Sequence, residues 1–191
     1  MSNPFEKFKS TNSSEYESFI LENVHNLEIT DLTNISGLKV MNGAVKLFGV
    51  RINVNYNLAL KLCSILEYRL PTALEVDTIY LNSTVLINPQ PQPINSNING
   101  MIYHSEAIDK ALNNKIGLVS NEGKFWISPA KEDRANLYGW GIFTESFSWR
   151  GIRLYYSKSK SPRLRVIQPE TQLAHNRFHS DYSMTVRFVK S

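Results

Sequence analysis

The segment Ala174–Ser183, AHNRFHSDYS, sets two histidines, an aspartate, a tyrosine and two serines within ten positions near the end of a 191-residue chain. Among these side chains only imidazole ordinarily titrates near neutral pH, so His175 is the natural proton-transfer group. Three arrangements fit. With Asp181 orienting it and Tyr182 or Ser183 beside it, His175 would act as a general base. With His179 and Asp181 it would offer two imidazoles and one carboxylate to zinc, leaving a coordination position for an activated water. In the third, the same groups cap a turn and satisfy buried backbone at a β-corner. The spacing H-x-x-x-H-x-D is too short and too common to choose among them.

Other residues could join such a site. His104, in MIYHSEAID, falls where a helix is expected to open, as a surface or cap residue or as a group reaching the same cleft. Lys124, in EGKFWI, is a candidate for stabilising an anion, although the preferred reading is an exposed lysine on a strand edge. Trp126, Tyr138, Trp140 and Trp149 lie in strand-like blocks, where aromatics fill cores, although an aromatic face also stacks on the C–H face of a sugar. Gln168 joins Lys124, Trp126, Tyr138 and Trp140 as a candidate substrate contact. Cys63 is the single cysteine, so no internal disulfide can form. It lies close to a helical stripe of Leu58, Leu62, Ile65 and Leu66, which makes it a small buried residue in preference to a nucleophile.

These residues need elements to position them. Residues 1–25 are polar and of mixed charge, expected as an N-terminal arm or a short helix, with 26–191 as a single domain. Between 27 and 55, short β-rich runs are split by Gly37, Gly43 and Gly49, the pattern of strands joined by turns. Helices are expected near 57–67 and 73–81, the second opened by Thr72 with Glu75 three residues on, a capping box. The stretch INPQPQPINSNING spaces three prolines at alternate positions and reads as an extended connector over the surface. A short helix over 104–113 and strands at 116–128, 134–143, 150–156 and 163–168 follow, with an internal strand over 184–189. The fold class is α+β, with two helices in the first half and mostly antiparallel sheet in the second.

Composition narrows the partners. A chain of 191 residues with 42% hydrophobic content supports one sizeable core. The net charge of +4 is uneven: residues 1–123 hold 9 basic and 12 acidic side chains, and residues 124–191 hold 12 basic and 5 acidic. An anionic cell-wall polymer or glycan would find its field in the C-terminal third. No recognition motif points to nucleic acid. No apolar run is long enough for a membrane span, and MSNPFEKFKS lacks the apolar centre of a signal peptide, so the expectation is a soluble chain, cytoplasmic as synthesised.

LALKLCSILEYRLPTALEVDTIY, the proline-rich stretch, MIYHSEAID, GKFWI, RANLYGWG, RVIQP and HSDYSMTVRFV together, over about residues 57–190, resemble an uncharacterised family of bacterial and phage proteins. The recurring features of that family fall on Tyr138, Gly139, Trp140, Ile167, Gln168, His175, Asp181, Tyr182 and Ser183. A weaker resemblance, carried by ALKLCSILEYRLPTALEVDTIY and MTVRFVK, is to the formylglycine-generating and sulfatase-modifying group, which implies a C-type-lectin-like fold. Its copper-binding cysteine pair is impossible with one cysteine. Two functional readings follow, the first as the expectation and the second as its alternative. One is a phage or bacterial endolysin-like hydrolase of peptidoglycan or a related polymer, released to the envelope, with His175 as base or zinc ligand. The other is a non-catalytic glycan-binding or virion recognition protein of lectin-like fold.

Overall fold

The computed structural model describes residues 3–88, 90, 92–93, 95–120, 122–127, 152–155, 165–168 and 179–190, with backbone alone for 73, 77, 124–125, 152–155 and 165–168. The architecture is α+β. Its first helix, α1 (Ser14–Glu22), starts where the Ser13 hydroxyl accepts the Tyr16 N–H. The N-terminal segment is tied into the body of the protein: Phe5, Tyr16 and Ile20 are all 0% exposed and belong to the main core. Burying side chains of this size stabilises by roughly 1.5–3 kcal/mol each.

Five short strands follow: β1 (Leu27–Glu28), β2 (Leu32–Ile35), β3 (Leu38–Met41), β4 (Lys46–Leu47) and β5 (Val50–Arg51). Two pairs of them close through two-residue turns with both central φ angles positive, Ser36–Gly37 (51° and 90°) and Phe48–Gly49 (51° and 78°). This is the turn whose twist matches antiparallel strands, and it explains the glycine in each second place.

Helix α2 (Tyr56–Leu66) is capped by Asn55, whose Oδ1 accepts the Leu58 N–H at 2.8 Å. Its buried stripe is Leu58, Ala59, Leu62 and Cys63, whereas Ile65 is 52% exposed. The expected stripe was therefore rotated by part of a turn, because Ile65 falls one residue past the face that meets the core. Helix α3 (Ala73–Asn82) opens with the expected capping box: Thr72 Oγ1 accepts from the Glu75 N–H, and Glu75 Oε2 accepts from the Thr72 N–H. Helix α4 (Ile98–Leu112) is longer than the expected 104–113, because Asn97 already caps it through the Gly100 N–H at 2.7 Å.

The remaining strands are β6 (Lys124–Trp126), β7 (Ile152–Tyr155), β8 (Arg165–Gln168), β9 (Met184–Thr185) and β10 (Val189–Lys190). Among the described residues three sheets result, ordered β1-β4-β5, β10-β3-β2 and β8-β7-β6-β9, with every pair antiparallel except β6–β9. The strand expected over 184–189 is instead two short strands in different sheets. The physical reason lies in its partners. Met184, Val186 and Phe188 carbonyls accept from the amides of Val54, Val45 and Met41 in turn, while Val189 exchanges both backbone bonds with Arg69. One extended segment is thus shared among several neighbours, and Val186 and Phe188 end at 0% exposure. The expected strand at 134–143 lies outside the described residues.

Trp126 anchors β6 in the core. Its indole N–H donates to the Val54 carbonyl at 2.8 Å and its ring packs 5.5 Å from Tyr56. No helix among the described residues is long and apolar enough to cross a membrane.

Candidate functional site

Of the residues singled out in the sequence, the fold gathers His104, Asp181, Tyr182 and Ser183 at one place. His104 lies in the middle of α4, since the Asn97 cap starts the helix upstream, so it neither opens the helix nor caps it. Its ring meets the Tyr182 ring edge-on at 5.3 Å and 81°. Gly123, at φ +118°, packs against both His104 and the C-terminal segment: a Cβ there would sit 2.3 Å from the Ser183 carbonyl oxygen and 3.2 Å from His104 Cε1. Only glycine meets both the conformation and the space.

The aspartate is committed to its own turn. Asp181 Oδ1 accepts from both the Ser183 N–H and the Ser183 hydroxyl at 2.9 Å. Its carbonyl accepts from the Asn53 amide at 2.6 Å, and the Tyr182 N–H donates to the Asn95 carbonyl at 2.8 Å. The approach to the turn is pinned as well, by the Ser180 N–H donating to Asn12 Oδ1 at 2.6 Å. His104, Asp181, Tyr182 and Ser183 are 2%, 1%, 8% and 6% exposed. Together they form a closed polar corner that joins α4 to the C-terminal segment.

His175 lies outside the described residues, as do Tyr138, Trp140 and Trp149. His179 is described and half-buried, one residue before the anchored Ser180. Among the described residues no group of three or more His, Cys, Asp or Glu side chains is placed to hold a metal ion. Lys124 belongs to β6, which runs between β7 and β9, so its strand is an inner one and not the expected edge. Gln168 pairs with Ile152 in the β7–β8 ladder. Trp126 is 1% exposed and serves the core, leaving no ring face for a sugar.

Next to this corner is a second polar centre that residue spacing did not reveal. Glu122, 2% exposed, takes the Arg51 Nε donor on Oε1 at 2.8 Å, and on Oε2 the Arg187 Nη2 donor at 2.8 Å and the Ala44 N–H at 2.6 Å. Arg51 continues to Asp109 at 2.6 Å and to the Ser105 carbonyl at 3.2 Å, and Asp109 also holds Lys46 at 3.0 Å. Arg187 donates to the Val119 carbonyl at 2.8 Å. Burial pulls the Arg187 guanidinium below its ordinary pKa, an effect the Glu122 carboxylate opposes. The pair of guanidinium groups around one carboxylate links β5, α4, the entry to β6 and the C-terminal segment. A usable signal did exist: Arg51 in VRINV and Arg187 in MTVRFV each sit inside an apolar run, where a charge demands a buried partner.

Cys63 is 8% exposed, and burial pushes its thiol up to about 12, far from the range of a reactive thiolate. No protein family, curated protein or solved structure matches the chain.

Proposed function

We propose that the chain is a non-catalytic recognition protein, of the bacterial envelope or of a virion, that binds an anionic glycan or cell-wall polymer through its basic C-terminal third. The observation that carries this reading is the closure of the His104–Asp181–Tyr182–Ser183 corner. A general base must reach a substrate proton within hydrogen-bond distance, and groups this deeply buried have no such reach. Their architecture suits a frame. The Glu122 centre ties β5 and the C-terminal segment to the entry of β6, and residues 124–191 carry the surplus of 12 basic over 5 acidic side chains. Such a field raises the local concentration of a polyanion and gives a binding strength that falls with salt. The C-type-lectin-like assignment belongs to the same proposal and rests on the sequence blocks that resemble that group.

The test is incubation with purified sacculi, with retention measured by sedimentation and any released fragments measured by mass analysis. Retention that weakens between 0.05 and 0.5 M salt, roughly the range over which the screening length shrinks severalfold, with no fragments released, is the expected result. Fragment release would favour the competing reading, an endolysin-like hydrolase with His175 as base or zinc ligand.

A further inference from the structure

We propose that the shallow groove between the N-terminal segment and α1 is a binding site for an organic ammonium group, and that Lys7 occupies it in the unliganded chain. Phe8 and Phe19 form its wall, with ring centroids 5.1 Å apart and planes inclined by 49°, and Glu15, Glu22 and the serines of α1 complete it. The Lys7 ammonium is already seated over both rings, 4.3 Å from the Phe19 centroid and 5.0 Å from that of Phe8. Both distances fall within the range at which a cation is held by the negative face of an aromatic ring. The groove therefore demonstrates its own ligand chemistry with a group of this chain. Lys7 is an exposed residue on a flexible stem, so it can yield the place to a stronger cation.

A separate observation points to the same surface. Phe48 lies beside Phe19, centroids 6.2 Å apart, at 44% exposure and with φ +51°. That conformation is unfavourable for a bulky residue, and in the matching hairpin turn the equivalent place is held by Ser36. The turn is clamped from outside, by the Gly49 N–H donating to Glu28 Oε1 at 2.6 Å. A strained, exposed aromatic kept beside Phe19 extends the ring surface available to an alkylammonium ligand. The charge of the lining agrees: Glu15 and Glu22 stand beside the rings, and hydrogen bonds from backbone and from Ser13 hold the Glu15 carboxyl below its ordinary value, hence ionised. This site is distinct from the basic C-terminal third and takes ligands of the opposite charge.

Titrating the full chain with choline chloride, against sodium chloride at matched ionic strength, tests the site through the ring resonances of Phe8 and Phe19. Saturable shifts with choline alone are expected. In Lys7→Ala, and in Lys7→Gln as a second variant, loss of the internal competitor should tighten binding by about 5-fold, since apparent affinity scales with the free fraction of the site. Phe8→Leu should weaken binding at least ~3-fold by removing one ring from the cation. Phe48→Asn, which suits the turn, should weaken binding while leaving the fold intact. Equal shifts with sodium and choline, or Lys7 variants that bind no more tightly than the parent, or full affinity in Phe8→Leu, would each overturn the proposal.

Discussion

Glu122 and Asp181 are both carboxylates buried to within 2% of complete exclusion from solvent, yet they do opposite kinds of work. Glu122 is held by Arg51, 71 residues away, by Arg187, 65 residues away, and by the Ala44 amide, 78 residues away. Asp181 accepts from Ser183, two residues along. One joins elements that only the folded chain brings together; the other holds the amide and hydroxyl of Ser183 in its own turn. The difference separates what a local pattern can announce from what tertiary structure must supply, and it fixes how severely each should respond to loss.

The largest effect is expected at Glu122. Glu122→Ala leaves Arg51 and Arg187 buried without their shared anion, and urea unfolding should register a loss of about 3–5 kcal/mol, the range for breaking a buried ion pair by removing one partner. A loss below about 1 kcal/mol would show that water or another group readily replaces the carboxylate. Asp181→Ala should follow with about 1–3 kcal/mol, the penalty for stranding buried donors, and polymer retention per folded molecule should stay unchanged. If retention collapses while the melting temperature holds, Asp181 touches the ligand and the contrast with Glu122 is misdrawn.

Thr72→Ala, which removes half of a surface capping box, should destabilise by about 1 kcal/mol. Its partner adds a pH dependence. Burial pushes the Glu75 carboxyl up, but the bidentate Arg69 contact at 2.7 Å and the Thr72 N–H outweigh this and hold it below its ordinary 4.5. A depressed carboxylate gives stability that is present above its unfolded value and lost as pH falls through the folded one. The stability gap between the parent and Glu75→Gln should therefore narrow as pH drops below about 4.5, and a gap that widens there would reverse the sign. Smallest of all is Lys61→Ala. Its pair with Glu17 is largely solvated, with the lysine side chain 54% exposed, so thermal unfolding should change by less than about 0.5 kcal/mol.

Local chemistry was legible in the sequence wherever one turn of chain decides the outcome. Thr72 and Glu75 announce the start of α3, Gly37 and Gly49 announce their hairpins, and the helical pattern around Cys63 announces its burial. Legibility faded as partners grew distant. The run 184–189 has the alternation of one strand, but its carbonyls and amides are divided among Val54, Val45, Met41 and Arg69, none of which lies near it in the chain. The Asn- and Pro-rich segment before His104 hides the start of α4, which Asn97 caps seven residues upstream of that histidine. The segment AHNRFHSDYS is a concentration of polar groups, of which residues 179–183 are described. Asp181 and Ser183 bond each other there, and His104 joins the corner through Tyr182, 78 residues away. The Glu122 centre left only the faint mark of two arginines in apolar runs, since no spacing rule relates residues 51, 122 and 187.

The central claim is that this chain recognises an anionic polymer without cleaving it, and sacculus incubation addresses that claim most directly. Purified sacculi are mixed with the full chain, the pelleted protein is quantified across a salt series, and the supernatant is analysed by mass for soluble fragments. The account predicts salt-sensitive retention with a supernatant free of fragments, unchanged by added zinc or by a chelator. Fragments that appear with the parent chain and vanish with His175→Ala would contradict it and make the protein a hydrolase.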